Sequence, residues 1–447
     1  MPLPGPSDRR PTSSPIAILA ALALSVGVAS GVAEGQVARP RQVPPGFGTP
    51  EPRPGFVDRT RPLLPEGAAM VVEILAGGQF APRRGWFERA VSRSRFGWGW
   101  VEAKYDRDRD GRVVRGEFPG LDGDFRRLDR NRDGKLTRLD FAFPGNAVAR
   151  SRSKMIMSFA DRNKDGRLAT AEYTQMIFMA GRDNFTKVRY FAEALDDVIA
   201  AYKANERAGL PFLTLGDLRE TVDLRADLDA LEKIPDPDGD IETASRSTLL
   251  KTLIRRDLGS LHAGPAPGEN APDFTLPDVD GRSQVSLAKL LGAKPVVLCF
   301  GSLSEPSFRN EVGTLEKLAR SYRGRAEFLM VAVRQSRPSD GWPSKDNAQA
   351  GASLAQPKDE KGRLQAARDL KAKLGLTWPM AVDRMDDRVG ILYSGMPCRL
   401  YLVDPSGRVA YQGGRGPFGF KPDELEQALL LQLQETPPPA EDRGRKP

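Results

Sequence analysis

The sequence predicts a multidomain chain: an all-α region built around carboxylate-rich loops, followed by an α/β domain. Three observations predict it. Three twelve-residue segments between residues 106 and 172 repeat one arrangement of oxygen-bearing side chains. Beyond residue 268, short runs of β-formers alternate with helical patterns. The 447 residues include 44 glycines and 37 prolines, which requires substantial irregular linker beside the folded parts.

The chain begins with Arg9 and Arg10, then an apolar stretch from Ile16 to about Ala33 ending in small residues. Residues 1–33 are therefore expected to be a signal peptide, cleaved after Ala33 and exporting the chain to a periplasmic or extracellular location. The same stretch is close to the roughly 17–25 residues that span a bilayer, so an uncleaved N-terminal anchor is the alternative. No later segment is long and apolar enough to form an integral membrane domain. Residues 34–66 are Pro-rich and aperiodic, an extended linker, and the tail 436–447 is similar.

Residues 67–180 hold the three loops: `DRDRDGRVVRGE` (106–117), `DRNRDGKLTRLD` (129–140) and `DRNKDGRLATAE` (161–172). Oxygen side chains fill positions 1, 3 and 5, glycine position 6, an aliphatic residue position 8 and a carboxylate position 12. A hard cation takes about six to eight oxygens at about 2.3–2.6 Å, and a short loop wraps it only when alternate side chains turn inward. Glycine at position 6 allows the sharp turn. The pattern resembles the EF-hand family closely and implies Ca²⁺ as the cofactor. The first ligand set is Asp106, Asp108, Asp110, the carbonyl of Arg112, and Glu117. The second is Asp129, Asn131, Asp133, the carbonyl of Lys135, and Asp140. The third is Asp161, Asn163, Asp165, the carbonyl of Arg167, and Glu172.

Asp140 is one methylene shorter than the usual closing glutamate, which predicts weaker bidentate closure in loop two. Apolar flanks stand at Tyr105/Phe118, Leu128/Phe141 and Phe159/Tyr173, and Val113 and Leu136 are placed to join loops one and two by a short β-bridge. Loop three has no evident partner. The fragment `IPDPDGDIE` (234–242) echoes the pattern without both Gly at 6 and a carboxylate at 12, and reads as a turn, a degenerate fourth hand being the alternative. Residues 181–267 read as a helical connector.

From 268 to 435 the order is a short strand, an Asp-Gly turn, a short helix and the buried strand of `VVLCFGS`. A helix near 307–323, the strand `AEFLMVAV`, a second helix and a closing hairpin and helix follow. This is the order of a thioredoxin-like domain, and Pro397 stands where such folds carry a cis-proline. Within 285–435 the strings `CFGSLSEPSF`, `AEFLMVAVRQSRPSDGW`, `VDRMDDR` and `VAYQGGRGPFGF` resemble the iodothyronine deiodinases.

The resemblance implies reductive removal of iodine from an aromatic ring by an ionised selenocysteine or cysteine, regenerated by a thiol. Glu305 falls at the selenocysteine position. Arg337 replaces a family histidine, Gln335 an acidic residue, and Phe308 holds the place of a thioredoxin resolving cysteine. Arg415 matches a family basic residue near the substrate phenolate, and Ser302 and Ser304 keep a hydroxyl-rich loop. The expectation is a domain that has lost its catalytic nucleophile and serves an unknown protein or a small aromatic ligand. The alternative is a thiol-dependent oxidoreductase using Cys299 or Cys398, or Glu305 as an acid/base.

Composition narrows the classes further. Two cysteines, Cys299 and Cys398, exclude a disulfide framework and a Cys-rich zinc site. The single histidine, His262, in a loop-like entry to the last domain, excludes multi-His metal centres. The net charge of +8 is spread along the chain without an aromatic-interleaved basic patch, so no nucleic-acid partner is expected.

Overall fold

The computed structural model describes residues 92–143, 152–180, 195–218, 256, 259 and 262–435. The expected signal peptide, linker, C-terminal tail and the fragment 234–242 lie outside them. Among the described residues no helix is long and apolar enough to cross a membrane.

The N-terminal half contributes β1 (Arg93–Ser94), α1 (Trp98–Tyr105), β2 (Val113–Val114), α2 (Asp122–Leu128) and β3 (Lys135–Leu136). It continues with α3 (Arg152–Ala160), β4 (Arg167–Ala169), α4 (Thr170–Ala180), α5 (Leu195–Arg207), β5 (Phe212–Thr214) and α6 (Leu215–Leu218). The C-terminal half opens with β6 (Thr275–Pro277), β7 (Gln284–Ser286), α7 (Leu287–Leu290), β8 (Val296–Gly301) and α8 (Pro306–Ser321). Then come β9 (Glu327–Ala332), α9 (Lys345–Gln349), α10 (Glu360–Leu374), β10 (Met380–Val382) and α11 (Arg388–Leu392). The chain closes with β11 (Arg399–Val403), β12 (Val409–Gln412) and α12 (Pro422–Glu435).

The main sheet runs β1-β12-β11-β8-β9-β10. Strands β8, β9 and β10 are parallel, as crossovers through α8 and α10 require, while β11 and β12 run antiparallel as a hairpin. All six residues of β8 are buried, because both faces of the sheet are covered. Alternation then divides them. Val297 and Cys299 join one apolar cluster with α8 and α12, and Val296, Leu298 and Phe300 join another. This mixed sheet with helices is the thioredoxin-like arrangement expected from the sequence, and Met396–Pro397 is cis.

The N-terminal half is not all-α. It carries two short ladders, β2–β3 and β4–β5, and lends β1 to the edge of the main sheet beside β12. The ladders exist because each twelve-residue loop leaves its position 8 extended, with backbone groups that need a partner. Val113 pairs with Leu136 as expected. Loop three also has a partner: Leu168 pairs with Leu213 in the segment read as connector. No spacing of acidic residues marks that partner, so the sequence pattern gave no cue to it.

Loops one and two share the main core. Rings run in edge contact from Phe96 through Trp100, Tyr105 and Phe118 at 4.9, 5.6 and 5.6 Å, and Phe118 lies 5.7 Å from Phe125. These side chains, with Val113, Leu128 and Leu136, form one cluster with Val297, Leu425 and Leu429. Loop three and its partner keep a separate core of Ile156, Leu168, Met176, Val198, Tyr202 and Leu213 among others. That unit meets α8 and α10 by polar contacts: Arg167 Nη2 donates to Leu374 O, at the end of α10, at 2.7 Å, and Gly216 N to Thr314 Oγ1, on α8, at 3.1 Å.

Candidate functional site

Each acidic loop is shaped by one repeating set of backbone donors. Position 1 accepts from the N–H groups of positions 5 and 6: Asp110 and Gly111 on Asp106, Asp133 and Gly134 on Asp129, Asp165 and Gly166 on Asp161, all at 2.8–3.2 Å. Position 3 accepts from position 5, as Asp110 N donates to Asp108, Asp133 N to Asn131 and Asp165 N to Asn163. Position 12 accepts from positions 2 and 9: Arg107 and Val114 on Glu117, Arg130 and Thr137 on Asp140, Arg162 and Ala169 on Glu172. The glycines at position 6 take φ of 80°, 84° and 78° at Gly111, Gly134 and Gly166, the left-handed turn that gathers the oxygens.

The result is a convergent, all-oxygen donor set. Carboxylate oxygens of Asp106, Asp108 and Glu117 lie within 4.8 Å of one another. Hard oxygen donors at this spacing fit a divalent cation such as Ca²⁺. Asp140 reaches the same donors as the longer glutamates, because it sits in a 3₁₀ turn, Arg138–Phe141, capped by Thr137. Burial pushes the Asp161 carboxyl up to about 6, with Asp165 and Glu172 adding like charge. Burial also raises Asp165 and Asp129, whereas the Val114 and Arg107 amides hold Glu117 below its ordinary range. Gathering acids in this way costs free energy that an oppositely charged ligand relieves. Of the flanking aromatics, Phe159 is exposed.

The second site lies where β8 ends. Glu305 is the N-cap of α8, with Pro306 fitting the first turn, where no N–H partner is needed. It is only 3% exposed, and both carboxylate oxygens are held. Ser307 donates its hydroxyl to Oε1 at 2.6 Å and its N–H at 3.3 Å, and Ser336 Oγ donates to Oε2 at 2.7 Å. Ser304 N donates to Gln335 Oε1 at 3.1 Å, and Ser336 N to Ser302 Oγ at 3.3 Å, tying the active-loop serines to the segment after β9.

Arg309, on the first turn of α8, donates through Nη1 to Leu303 O at 2.6 Å and Asn347 Oδ1 at 2.9 Å. Asn347 in turn donates to the carbonyls of Ser304 and Arg337. Burial lowers the Arg309 pKa, against the opposing charges of Glu305, Asp346 and Asp161.

Both cysteines are buried free thiols. Burial pushes Cys299 well up, and burial with the Glu305 charge does the same to Cys398. Cys398 Sγ is 3.3 Å from Ser307 Oγ, the hydroxyl that also donates to Glu305.

Arg337 stacks its guanidinium over Trp342 at 4.0 Å from the ring centroid, and its backbone N–H donates to Ser304 Oγ at 3.4 Å. Arg415 is buried and donates through Nη2 to His262 O at 3.0 Å. Glu305, Arg337, Ser302, Ser304 and Gln335 are thus brought together. Ser307, Ser336 and Asn347 complete this hydrogen-bond network without having been singled out in the sequence. A serine two residues after an N-cap glutamate was a usable signal for the first of them; the other two arrive through tertiary contact alone.

Residues 234–432 match the family model described as iodothyronine deiodinase, and 122–142, around loop two, match EF hand. A thyroxine 5-deiodinase of Gallus gallus is 35% identical over 163 residues, 36% of this chain and 61% of that protein. A type I iodothyronine deiodinase of Xenopus laevis is 30% identical over 162 residues, 36% of this chain and 62% of that protein. The chain spans about three fifths of the length of these curated relatives. Among solved structures, the thioredoxin domain of a thiol-disulfide oxidoreductase from Bacteroides vulgatus is 19% identical. It covers 38% of this chain and 96% of that chain, with a TM-score of 0.26. The C-terminal part of this chain is deiodinase-like by sequence, its own mixed sheet with flanking helices has the order expected of a thioredoxin-like domain, and residues 122–142 resemble an EF hand.

Proposed function

We propose that this chain is an exported calcium-binding protein whose deiodinase-like domain has given up its nucleophile and serves as a ligand-binding or scaffolding module. Ca²⁺ would be held by Asp106, Asp108, Asp110, Glu117 and the Arg112 carbonyl in loop one. In loop two it would be held by Asp129, Asn131, Asp133, Asp140 and the Lys135 carbonyl, and in loop three by Asp161, Asn163, Asp165, Glu172 and the Arg167 carbonyl. The ion supplies charge neutralisation and cross-links each loop to its following helix.

The observation that carries the loss of reductive chemistry is the state of Glu305. A selenolate at this position attacks iodine as a soft anion; a carboxylate is a hard nucleophile with no stable oxygen–iodine product. Here both oxygens are already engaged by Ser307 and Ser336, in the manner of a structural cap. Gln335 and Arg337 bond to Ser304 and hold the loop rather than supply a thiol.

Thiol-dependent iodide release from an iodinated phenol tests this on the natural protein and on Glu305→Cys side by side. Silence from the natural protein with release by Glu305→Cys is the expected pair. Release by the natural protein would overturn the reading. Calcium is tested separately: titration should raise the melting temperature and change Trp98 and Trp100 fluorescence, and no response in either would sink the metal assignment.

A second reading, a thiol oxidoreductase, has one observation in its favour: Cys398 Sγ stands beside Ser307, the residue that donates to Glu305. The raised thiol pKa argues against it, because the thiolate is the reactive form. Slow Cys398 labelling that accelerates only at strongly alkaline pH is expected; fast labelling at neutral pH would favour the oxidoreductase.

A further inference from the structure

The ladder that joins loop three to its partner fixes a frame in the segment read as connector. Leu168 is position 8 of loop three and pairs with Leu213, just as Val113 pairs with Leu136, both position 8 of their loops. With Leu213 at position 8, a twelve-residue frame runs from Glu206 to Asp217, `ERAGLPFLTLGD`. The backbone obeys that frame. Position 4 is Gly209 at φ 75°, matching Arg109, Arg132 and Lys164 at 61°, 59° and 56° in the other loops. Position 12 is Asp217, whose Oδ2 accepts from the N–H of Thr214 at position 9, 2.9 Å away, as Glu117, Asp140 and Glu172 do in theirs.

Carboxylates remain at positions 1 and 12, Glu206 and Asp217, but Glu206 is exposed and the side-chain ligands between them are missing. Positions 3 and 5 are Ala208 and Leu210, and position 6 is Pro211, which cannot make the left-handed turn. Donors of the protein's own stand in their stead. Asn205 Nδ2 donates to Asp217 Oδ2 at 2.8 Å and to the carbonyl of Phe212 at 2.9 Å. These are the position-12 carboxylate and the position-7 carbonyl, two groups that a cation would otherwise hold in common. The ammonium of Lys317 pairs with Asp217 Oδ1. Asp217 is 4% exposed, so its charge needs a partner. Lys317 lies on α8, the helix that Glu305 caps.

We propose that residues 206–217 form a fourth hand whose cation is built in. Lys317 and Asn205 take the metal's part, and this permanently closed loop sets the cation affinity of loop three through the β4–β5 ladder. The assignment rests on reading loop three as a calcium loop. Its physical basis is that a tethered ammonium needs no ion from solution, so one side of the ladder is ordered before calcium arrives and loop three binds to a preformed partner. The same contact fastens the pair to α8. Gly166 lies against the Arg309 carbonyl so closely that no side chain would fit there, and Gly216 N donates to Thr314 Oγ1.

The experiment uses the full chain carrying Glu117→Gln and Asp140→Asn, so that loop three dominates calcium binding. Calcium is titrated calorimetrically with Lys317 intact, as Lys317→Arg and as Lys317→Met, and each protein is also melted in chelator. Lys317→Met should weaken loop-three binding by about tenfold, a typical coupling between linked sites, with Lys317→Arg close to the parent. In chelator, Lys317→Met should melt several degrees lower, and adding Asp217→Asn should restore most of the loss by removing the uncompensated charge.

Unchanged calcium affinity with a lowered melting temperature would make the pair an ordinary ion pair and overturn the proposal. If Lys317→Met does not fold, recovery by the added Asp217→Asn supports charge compensation, and failure of that double variant while Lys317→Arg folds overturns it. Absence of calcium binding by loop three with Lys317 intact would overturn the metal reading of that loop and the coupling with it. The chelator melts would then still decide whether Lys317 serves as the hand's charge.

Discussion

The two ladders join the same kind of loop, yet the pairs they build are attached to the deiodinase-like domain in opposite ways. Loops one and two merge with it: Phe118, Phe125, Leu128 and Leu136 occupy one cluster with Val297, Leu425 and Leu429. Loop three and the 206–217 segment keep their own core and meet α8 and the end of α10 through polar groups. An apolar junction cannot open without exposing surface worth about 25 cal/mol per Å², whereas a polar one exchanges its partners for water at a small net cost. The first pair is therefore part of the domain's stability. The second is placed to respond on its own, and it abuts the helix that carries Glu305.

The largest effect should come from breaking the apolar junction. Leu128→Ala removes a fully buried side chain from the shared cluster and should cost roughly 3–5 kcal/mol. The loss should appear as a lower denaturation midpoint for the whole unit, with tryptophan fluorescence and far-UV circular dichroism still coincident. Leu213→Ala deletes an equally buried leucine in the second pair. It should instead separate a local transition from the main one, leaving the fluorescence midpoint of Trp98 and Trp100 nearly in place. Coincident midpoints in Leu213→Ala would show that the two pairs are not differently attached.

A smaller effect marks the deiodinase-like domain itself. Asp383 accepts from the N–H groups of Arg384, Val389 and Gly390, yet burial lifts its carboxyl up to about 6. A raised folded-state pKa means that the native chain binds the proton more tightly than the unfolded one. Its stabilising contribution is thus complete below about pH 4, the ordinary carboxylate range, and is lost as pH rises through about 6. The difference between the natural protein and Asp383→Asn should change by about 2–3 kcal/mol across that window in denaturant melts. It should do so equally with calcium or chelator present, because Asp383 belongs to neither pair of loops. A calcium-dependent slope would mean that the second pair reaches further into the domain than its polar contacts indicate.

Much of this was legible in the sequence. Three loops stood out because oxygen side chains recur at fixed spacing around a glycine, and Val113 and Leu136 pointed to the first ladder because position 8 of each loop is apolar and extended. The buried run from Val296 to Gly301, the cis-proline at 397 and the site around Glu305 were legible for similar reasons of period and position. The second ladder was not. The 206–217 frame keeps only a glutamate at position 1, a glycine at 4, a leucine at 8 and an aspartate at 12, and the partners of that aspartate are Asn205 and the distant Lys317. Those four residues are too common to signal the loop pattern. Ser336 and Asn347 escaped for the same reason: a hydrogen-bond partner brought by tertiary folding leaves no period in the chain.

The smallest effect is expected at the rim of the first junction, where Lys104 pairs with Glu435 at 3.1 Å and lies over the Trp100 ring at 4.3 Å. Its side chain is 41% exposed, so water and salt screen the charge and ordering a long side chain offsets part of the gain. Lys104→Met keeps the aliphatic stem over the indole and deletes only the charge, and should cost no more than about 0.5 kcal/mol, fading in molar salt. Set beside Leu128→Ala, it apportions the junction. The two variants act on one surface, one through apolar burial and one through charge, and their ratio tells which holds the first pair in place. If Lys104→Met cost as much as Leu128→Ala and lost its effect in salt, the junction would be electrostatic, and the contrast with the second pair would vanish.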